Sequence, residues 1–198
     1  MNYLAHAFLS FNNADVLVGN MISDYVKGKK QYDYPPSILI GIKLHRAIDE
    51  FTDNHLATKE IKKIYATHYR LYAGAFVDVT YDYFLANDKA QFASNANLEI
   101  FCNNTYQTLE NNIAYLPEKF LQLLPYMKQQ NWLFNYQYEW GIEKSFGGLV
   151  RRSAYLTESQ IAFDLFCTNK EIIEQQYHLF IADVKEFAQN KLNQFLNT

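Results

Sequence analysis

Apolar residues recur at three- and four-residue intervals through almost the whole chain, which is the periodicity of amphipathic helices and not the alternation of strands. The clearest stripe joins Ile173, Tyr177, Phe180, Ile181, Val184, Phe187 and Leu192, and predicts one long C-terminal helix running to Leu196. At the other end, helices are expected over about 2–11 and from Asn12-Asn13-Ala14-Asp15 to about 27. Pro35-Pro36 opens a third, with Leu44, Ala47, Ile48 and Phe51 facing inward. A charged helix over 56–70 and a nearly all-apolar one over 72–86 follow. Residues 98–116 and 118–130 are amphipathic and punctuated by Pro117 and Pro125, and Gly147-Gly148 should interrupt the run near 142–155. Leu156-Thr157-Glu158-Ser159-Gln160 and Thr168-Asn169-Lys170-Glu171 read as capping boxes. No repeat, low-complexity tract or linker divides the chain, so the expectation is an all-α, single-domain helical bundle over 1–198.

Polar groups interrupt these apolar faces in a regular way. His45, Asp49 and Asp53 follow one another at four-residue steps, each advancing about 40° around a helix, so they share one face. They suit a hard or borderline divalent cation, and an ordinary solvated ion-pair face explains them equally well. Asp78 and Asp82 are the only charges in the 72–86 helix. A buried carboxylate there must be protonated, paired or bound to a metal, since leaving it ionised and alone costs several kcal/mol. Asn2 with His6, and Asn20 with Asp24, repeat the spacing in apolar surroundings. A single histidine of that kind is usually a hydrogen-bonded core residue. Four helices with the same pattern are explained more simply by one shared polar pocket.

Composition narrows the class. A hydrophobic fraction of 49%, with 16 Tyr and 15 Phe, fits a large aromatic core. The net charge of -3 argues against a broad nucleic-acid-binding surface. Cys102 and Cys167 have no metal-type spacing and suit a reducing, cytoplasmic setting. The N-terminal apolar run, broken by His6, is too short for a signal peptide or a membrane span. His55, His68 and His178 lack any paired-ligand spacing and read as surface or packing residues. Di-iron bundles use Glu-x-x-His motifs, and none occurs here.

Four blocks carry a resemblance to a known family. These are Asn2-Tyr3-Leu4-Ala5-His6, Gly19-Asn20-Met21-Ile22-Ser23-Asp24, Gly41-Ile42-x-x-His45-Arg46-x-Ile48-Asp49-x-x-Thr52-Asp53 and Asp78-Val79-x-x-Asp82-Tyr83-Phe84-Leu85. Together they resemble the acyl carrier protein phosphodiesterase family from residue 1 to about 90, and Arg151-Arg152 resembles a paired basic motif of its C-terminal part. That family is similar to the all-helical, metal-dependent HD phosphohydrolases, of which it is an atypical branch; this chain contains no adjacent His-Asp dipeptide.

The resemblance implies hydrolysis of the phosphodiester joining 4'-phosphopantetheine to a serine of holo-acyl carrier protein. A different HD-like phosphohydrolase acting on nucleotides or another small phosphodiester is the alternative. A carboxylate-rich site points to Mn²⁺, or else Mg²⁺. On this reading His6, His45, Asp49 and Asp82 are the expected ligands, with Asp24 and Asp78 as further ligands or water-orienting bases. Asn2 and Asn20 would stand behind them, and Asp53 is divided between that role and helix electrostatics. Arg46 is a candidate for neutralising the phosphate, though an exposed helix arginine describes it as well. An acidic carrier needs local positive charge, for which Arg151 and Arg152 are the first candidates and Lys27, Lys29 and Lys30 the second.

Overall fold

The computed structural model describes residues 1–197 and contains helices and turns but no strand among them. The first three helices are α1 (Tyr3–Phe8), α2 (Ala14–Ile22) and α3 (Pro36–Asn54). α4 (Leu56–Tyr69), α5 (Ala73–Asn87) and α6 (Asn95–Asn111) follow. The C-terminal half comprises α7 (Glu118–Gln129), α8 (Trp132–Asn135), α9 (Glu139–Arg152), α10 (Gln160–Thr168) and α11 (Lys170–Leu196). All contribute to one hydrophobic cluster.

Local chemistry sets most boundaries. Asn13 caps α2 by accepting the Val16 N–H at 3.2 Å, and Pro36 supplies the first turn of α3. α1 and α2 are shorter than their apolar runs suggest. Phe11 and Asn12 take left-handed backbone angles (φ 51° and 58°) that turn the chain sharply after α1. Ser23–Tyr25 continues α2 as a tighter 3₁₀ turn. The C-terminal stripe behaves as its period predicts. Ile173, Tyr177, Phe180, Ile181, Val184 and Leu192 are buried, and Phe187 stacks on Phe51 with ring centres 4.4 Å apart.

Three expectations are corrected. Gly147-Gly148 does not break α9, which runs through both residues; a side chain at either would meet only the flexible ends of Arg151 and Arg152 or the Ser159 hydroxyl. Pro125 lies inside α7 without ending it. Neither predicted capping box forms. Ser159 and Asn169 precede α10 and α11 without capping through their side chains, and Asn169 instead donates to the Leu165 carbonyl at 2.8 Å.

The contact that positions everything below is α2 against α3. A Cβ added to Gly19 would lie 2.0 Å from the Ile38 carbonyl oxygen, and one on Gly41 would lie 2.2 Å from that of Val16. Two glycines thus let the backbones touch, and residues just beyond them meet across the crossing. α11 lies across α3 and α4, while α5 packs on α1, α4 and α9.

Candidate metal centre

The α2–α3 contact places Asn20 beside His45, and the short α1 lays His6 over both. His45 Nδ1 lies 2.7 Å from the Asn20 backbone oxygen, an atom that only accepts, so this nitrogen carries the proton. The Asn20 side chain donates to the His6 carbonyl (2.9 Å) and to Ser10 Oγ (3.1 Å), which turns its Oδ1 toward His6 Nδ1 at 2.8 Å. That ring too is therefore protonated on Nδ1. One asparagine orients two imidazoles. The rings stack with centres 3.8 Å apart and planes 14° from parallel.

The two remaining nitrogens converge. His6 Nε2 and His45 Nε2 are buried and have no partner in hydrogen-bonding geometry. Both face Asp49, with His6 Nε2 3.2 Å from Oδ1 and His45 Nε2 3.1 Å from Oδ2. Asp24 Oδ1 approaches His45 Nε2 at 3.4 Å. Ligand atoms of His6, His45 and Asp49 all lie within 4.8 Å of one another. Two buried imidazole Nε2 atoms beside a carboxylate, each imidazole held from behind, suit a borderline divalent cation.

A positive charge is already drawn to this place. The Met1 α-ammonium donates to Asp49 Oδ1 at 3.0 Å and lies 3.2 Å from Asp78 Oδ1. Burial works against its charge, but Asp78 and Asp49 outweigh burial and push its pKa up to about 11. The same ammonium and the histidines hold the Asp49 carboxyl far below its ordinary range despite burial. Burial lowers His6 to about 4, with His45 adding to the effect. For His45 burial is again the largest influence, yet Asp24 and Asp49 together reverse it and raise the imidazole to about 9. Asp78 is raised, chiefly by burial.

A cavity of about 250 Å³ opens over these groups, walled in part by Tyr3, Tyr25, Asp24, Asp78 and Arg152. The sequence pattern did not single out Tyr3 or Tyr25, whose hydroxyls bond at 2.8 Å, because aromatic residues in apolar helices signal only core.

Not every expected residue arrives there. Asp82 is fully buried and its carboxylate is turned away, its oxygens accepting the Leu4 N–H (2.9 Å) and the Ala5 N–H (3.0 Å). Asp82 is one turn deeper along α5 than Asp78 and faces the start of α1, whose own Asn2 provides no side-chain cap. It caps α1 and stands outside the group formed by His6, His45 and Asp49. Burial raises its pKa to about 7, against the pull of those two N–H groups.

Arg46 also points elsewhere. Its guanidinium donates to the Val26 carbonyl (3.0 Å) and to Gln31 Oε1 (2.7 Å), pinning the turn that carries Lys27, Lys29 and Lys30. The arginine on the cavity wall is Arg152; Arg151 lies beside it, and both are exposed at the end of α9. Asp53 pairs with Lys62 at 2.7 Å. Asn2 lines the cavity and donates to the Tyr136 hydroxyl at 2.8 Å. His68 and His178 are exposed, whereas His55 caps α4 and contacts Asp183 at 3.1 Å. Both cysteines are free.

Residues 1–184, the histidine and aspartate blocks included, match the model of the family described as acyl carrier protein phosphodiesterase. The chain belongs to this family. Relatives named acyl carrier protein phosphodiesterase include one from Klebsiella pneumoniae (strain 342), 31% identical over 96% of this chain and 99% of its own. One from Photorhabdus laumondii is 28% identical over 96% of both chains. One from Escherichia coli O6:H1 is 26% identical over 96% of this chain and 99% of its own. No solved structure matches. The fold brings residues of all four sequence blocks, among them His6, Asn20, His45 and Asp78, to one cavity. No helix among the described residues is long and apolar enough to cross a membrane.

Proposed function

We propose that this protein hydrolyses holo-acyl carrier protein, releasing free 4'-phosphopantetheine and leaving the carrier's serine bare. The family carries the substrate; the observation that carries the chemistry is the pair of unpartnered Nε2 atoms converging on Asp49. His6, His45 and Asp49 would hold a divalent cation, Mn²⁺ first and Mg²⁺ second, with Asp24 as a further ligand. Such an ion, when bound, lowers the pKa of water and offsets charge on the phosphoryl oxygens.

The chain's own groups do the rest. Asn20 fixes both imidazoles in the tautomer that presents Nε2, so no proton has to be moved at His6 above a pH of about 4. Asp78, raised by burial, retains enough basicity to take a proton from the attacking water. Water adds to phosphorus, the bond from phosphorus to the seryl oxygen breaks, and the proton that Asp78 took up passes to that oxygen, so the serine leaves as its hydroxyl. Arg152 on the cavity wall faces the diester's negative charge. Arg151 and the lysines of the 27–30 turn, held by Arg46, lie where an acidic carrier would dock. The cytoplasm is the setting in which this substrate is met. The all-helical fold and the His/Asp cluster support the kinship to HD phosphohydrolases.

The test is direct. Purified protein with Mn²⁺ and holo-acyl carrier protein should convert the carrier to its apo mass, as read by mass spectrometry, and should leave nucleotide diesters intact. An unchanged carrier mass would overturn the reading.

A further inference from the structure

A second cavity, of about 640 Å³, adjoins the metal centre and shares Asn2, Tyr3, Val79 and Arg152 with it. Its size lies within the range of about 300–1,000 Å³ usual for small-molecule sites. The far wall is one face of α9, where Gly141, Lys144, Ser145 and Gly148 follow at three- and four-residue steps toward Arg151 and Arg152. Gly141 lets the Asn135 backbone close against α9, while Ser145 and Gly148 keep the rest of that face small and leave the space open. Opposite stand Gln130, Trp132 and Asn135. The lining contains three neutral amides, three hydroxyls, two indoles and three cations, and not one carboxylate.

We propose that this cavity holds the pantetheine arm of the substrate while its phosphate sits at the wall shared with the metal centre. The inference rests on the carrier-protein reading above and assigns the site that receives the arm. The match is chemical. The arm is uncharged along its length, carries two amides that need donors and acceptors, and ends in a thiol. Gln130, Asn135 and Ser145 offer the former, while Trp132 and Trp140 offer apolar faces for its methylene and dimethyl groups. The anionic end meets Arg152, the residue common to both cavities. The small centre of α9 admits the arm, and the absence of acids keeps the route from the phosphate free of repulsion. A nucleoside would put its base in the same space, so the binding test separates the two.

The chain has two tryptophans, and both line this cavity, so it reports its own occupancy. Free 4'-phosphopantetheine and phosphate-free pantetheine, titrated with EDTA present, should each alter intrinsic fluorescence saturably, with the phosphorylated form binding tighter. Adenosine monophosphate should not. Ser145→Phe, which fills the cavity from α9, should weaken both ligands by about tenfold or more. Trp140 is partly exposed, so Trp140→Ala spares the fold; it should weaken them similarly, read through Trp132.

A melting curve decides whether Ser145→Phe is folded, and Trp140→Ala carries the test if it is not. A flat titration in wild type, or affinities unchanged in the folded variants, would overturn the assignment. Because no turnover is measured, the outcome is separate from the parent reading. A carrier that stays uncleaved while pantetheine binds sinks the proposed activity alone, and cleavage without binding here sinks the cavity assignment alone.

Discussion

Gly19→Ala tests how the site is built. The added methyl carbon would sit 2.0 Å from the Ile38 carbonyl oxygen and 2.8 Å from the Ile42 nitrogen, both of them backbone atoms that cannot swing away. Contacts under 3.0 Å do not persist, so α2 and α3 must part by about 1 Å. Overpacking of this kind costs about 1–3 kcal/mol, and the better helix propensity of alanine returns about 1 kcal/mol at most. A net loss of up to about 2 kcal/mol lowers Tm by up to roughly 8 °C in a chain of this length. The greater damage is to function. The 2.7 Å bond from His45 Nδ1 to the Asn20 carbonyl spans the same crossing, and a 1 Å separation takes it beyond hydrogen-bonding range. Losing the group that orients a ligand costs about 10–100-fold in metal affinity. Melting curves and calorimetric Mn²⁺ titration of wild type, Gly19→Ala and Gly74→Ala make the assay. At Gly74 the new carbon meets only the flexible end of Lys62, at 3.1 Å, so that variant should keep wild-type metal affinity. Gly19→Ala with a Tm within about 1 °C of wild type and equal Mn²⁺ affinity would refute the reasoning.

Asp49→Ala and Asp82→Ala should fail in different ways. The first should stay folded and lose Mn²⁺ binding and turnover, while the second strands two buried N–H groups and should destabilise the fold by roughly 2–5 kcal/mol in urea titration. Exhaustive chelation should abolish hydrolysis of the carrier, and Mn²⁺ should restore it; full activity in the chelated protein rules the metal mechanism out. Metal binding must displace the proton that Asp24 and Asp49 hold on His45, so affinity should climb about tenfold per pH unit from neutrality and level off near about 9. A calorimetric series flat across that window would contradict the charged imidazole. Charge reversal at both Arg151 and Arg152 should raise KM for the carrier and blunt its salt dependence, because the Debye length is about 10 Å at 0.1 M. Unchanged KM in both low and high salt moves the docking surface elsewhere.

The sequence was most readable where periodicity and burial agree. The α11 stripe, the opening of α3 at Pro36 and the cap at Asn13 all follow from local chemistry. The convergence of His6, Asn20, His45 and Asp49 was also visible, as polar residues at four-residue spacing in apolar helices. Asp82 was misread because spacing along α5 tells which groups share a face but not which neighbour each will meet. Its partner is the backbone of α1, and backbone donors leave no mark in a sequence. Arg46 failed similarly: adjacency to His45 along a helix turns it about 100° away, toward the lysine turn. The unbroken α9 shows that paired glycines stop a helix only where packing does not hold it.

The capping of α1 by Asp82 bears on when the proposed ion could be acquired during synthesis. His6, Asn20, Asp24, His45 and Asp49 all lie within the first 49 residues, so the emerging chain displays nearly the whole ligand set early. Yet α1 spans only six residues, far below the length at which a helix persists unaided, and its leading N–H groups find their acceptor 77 and 78 positions downstream. A nascent polypeptide paused before α5 therefore has the proposed ligands, and Asn20 to bond His6, but lacks the cap that holds the start of α1. If these residues hold an ion as proposed, a fragment that ends before α5 should bind Mn²⁺ more weakly than the full chain, though it contains nearly all of the donors.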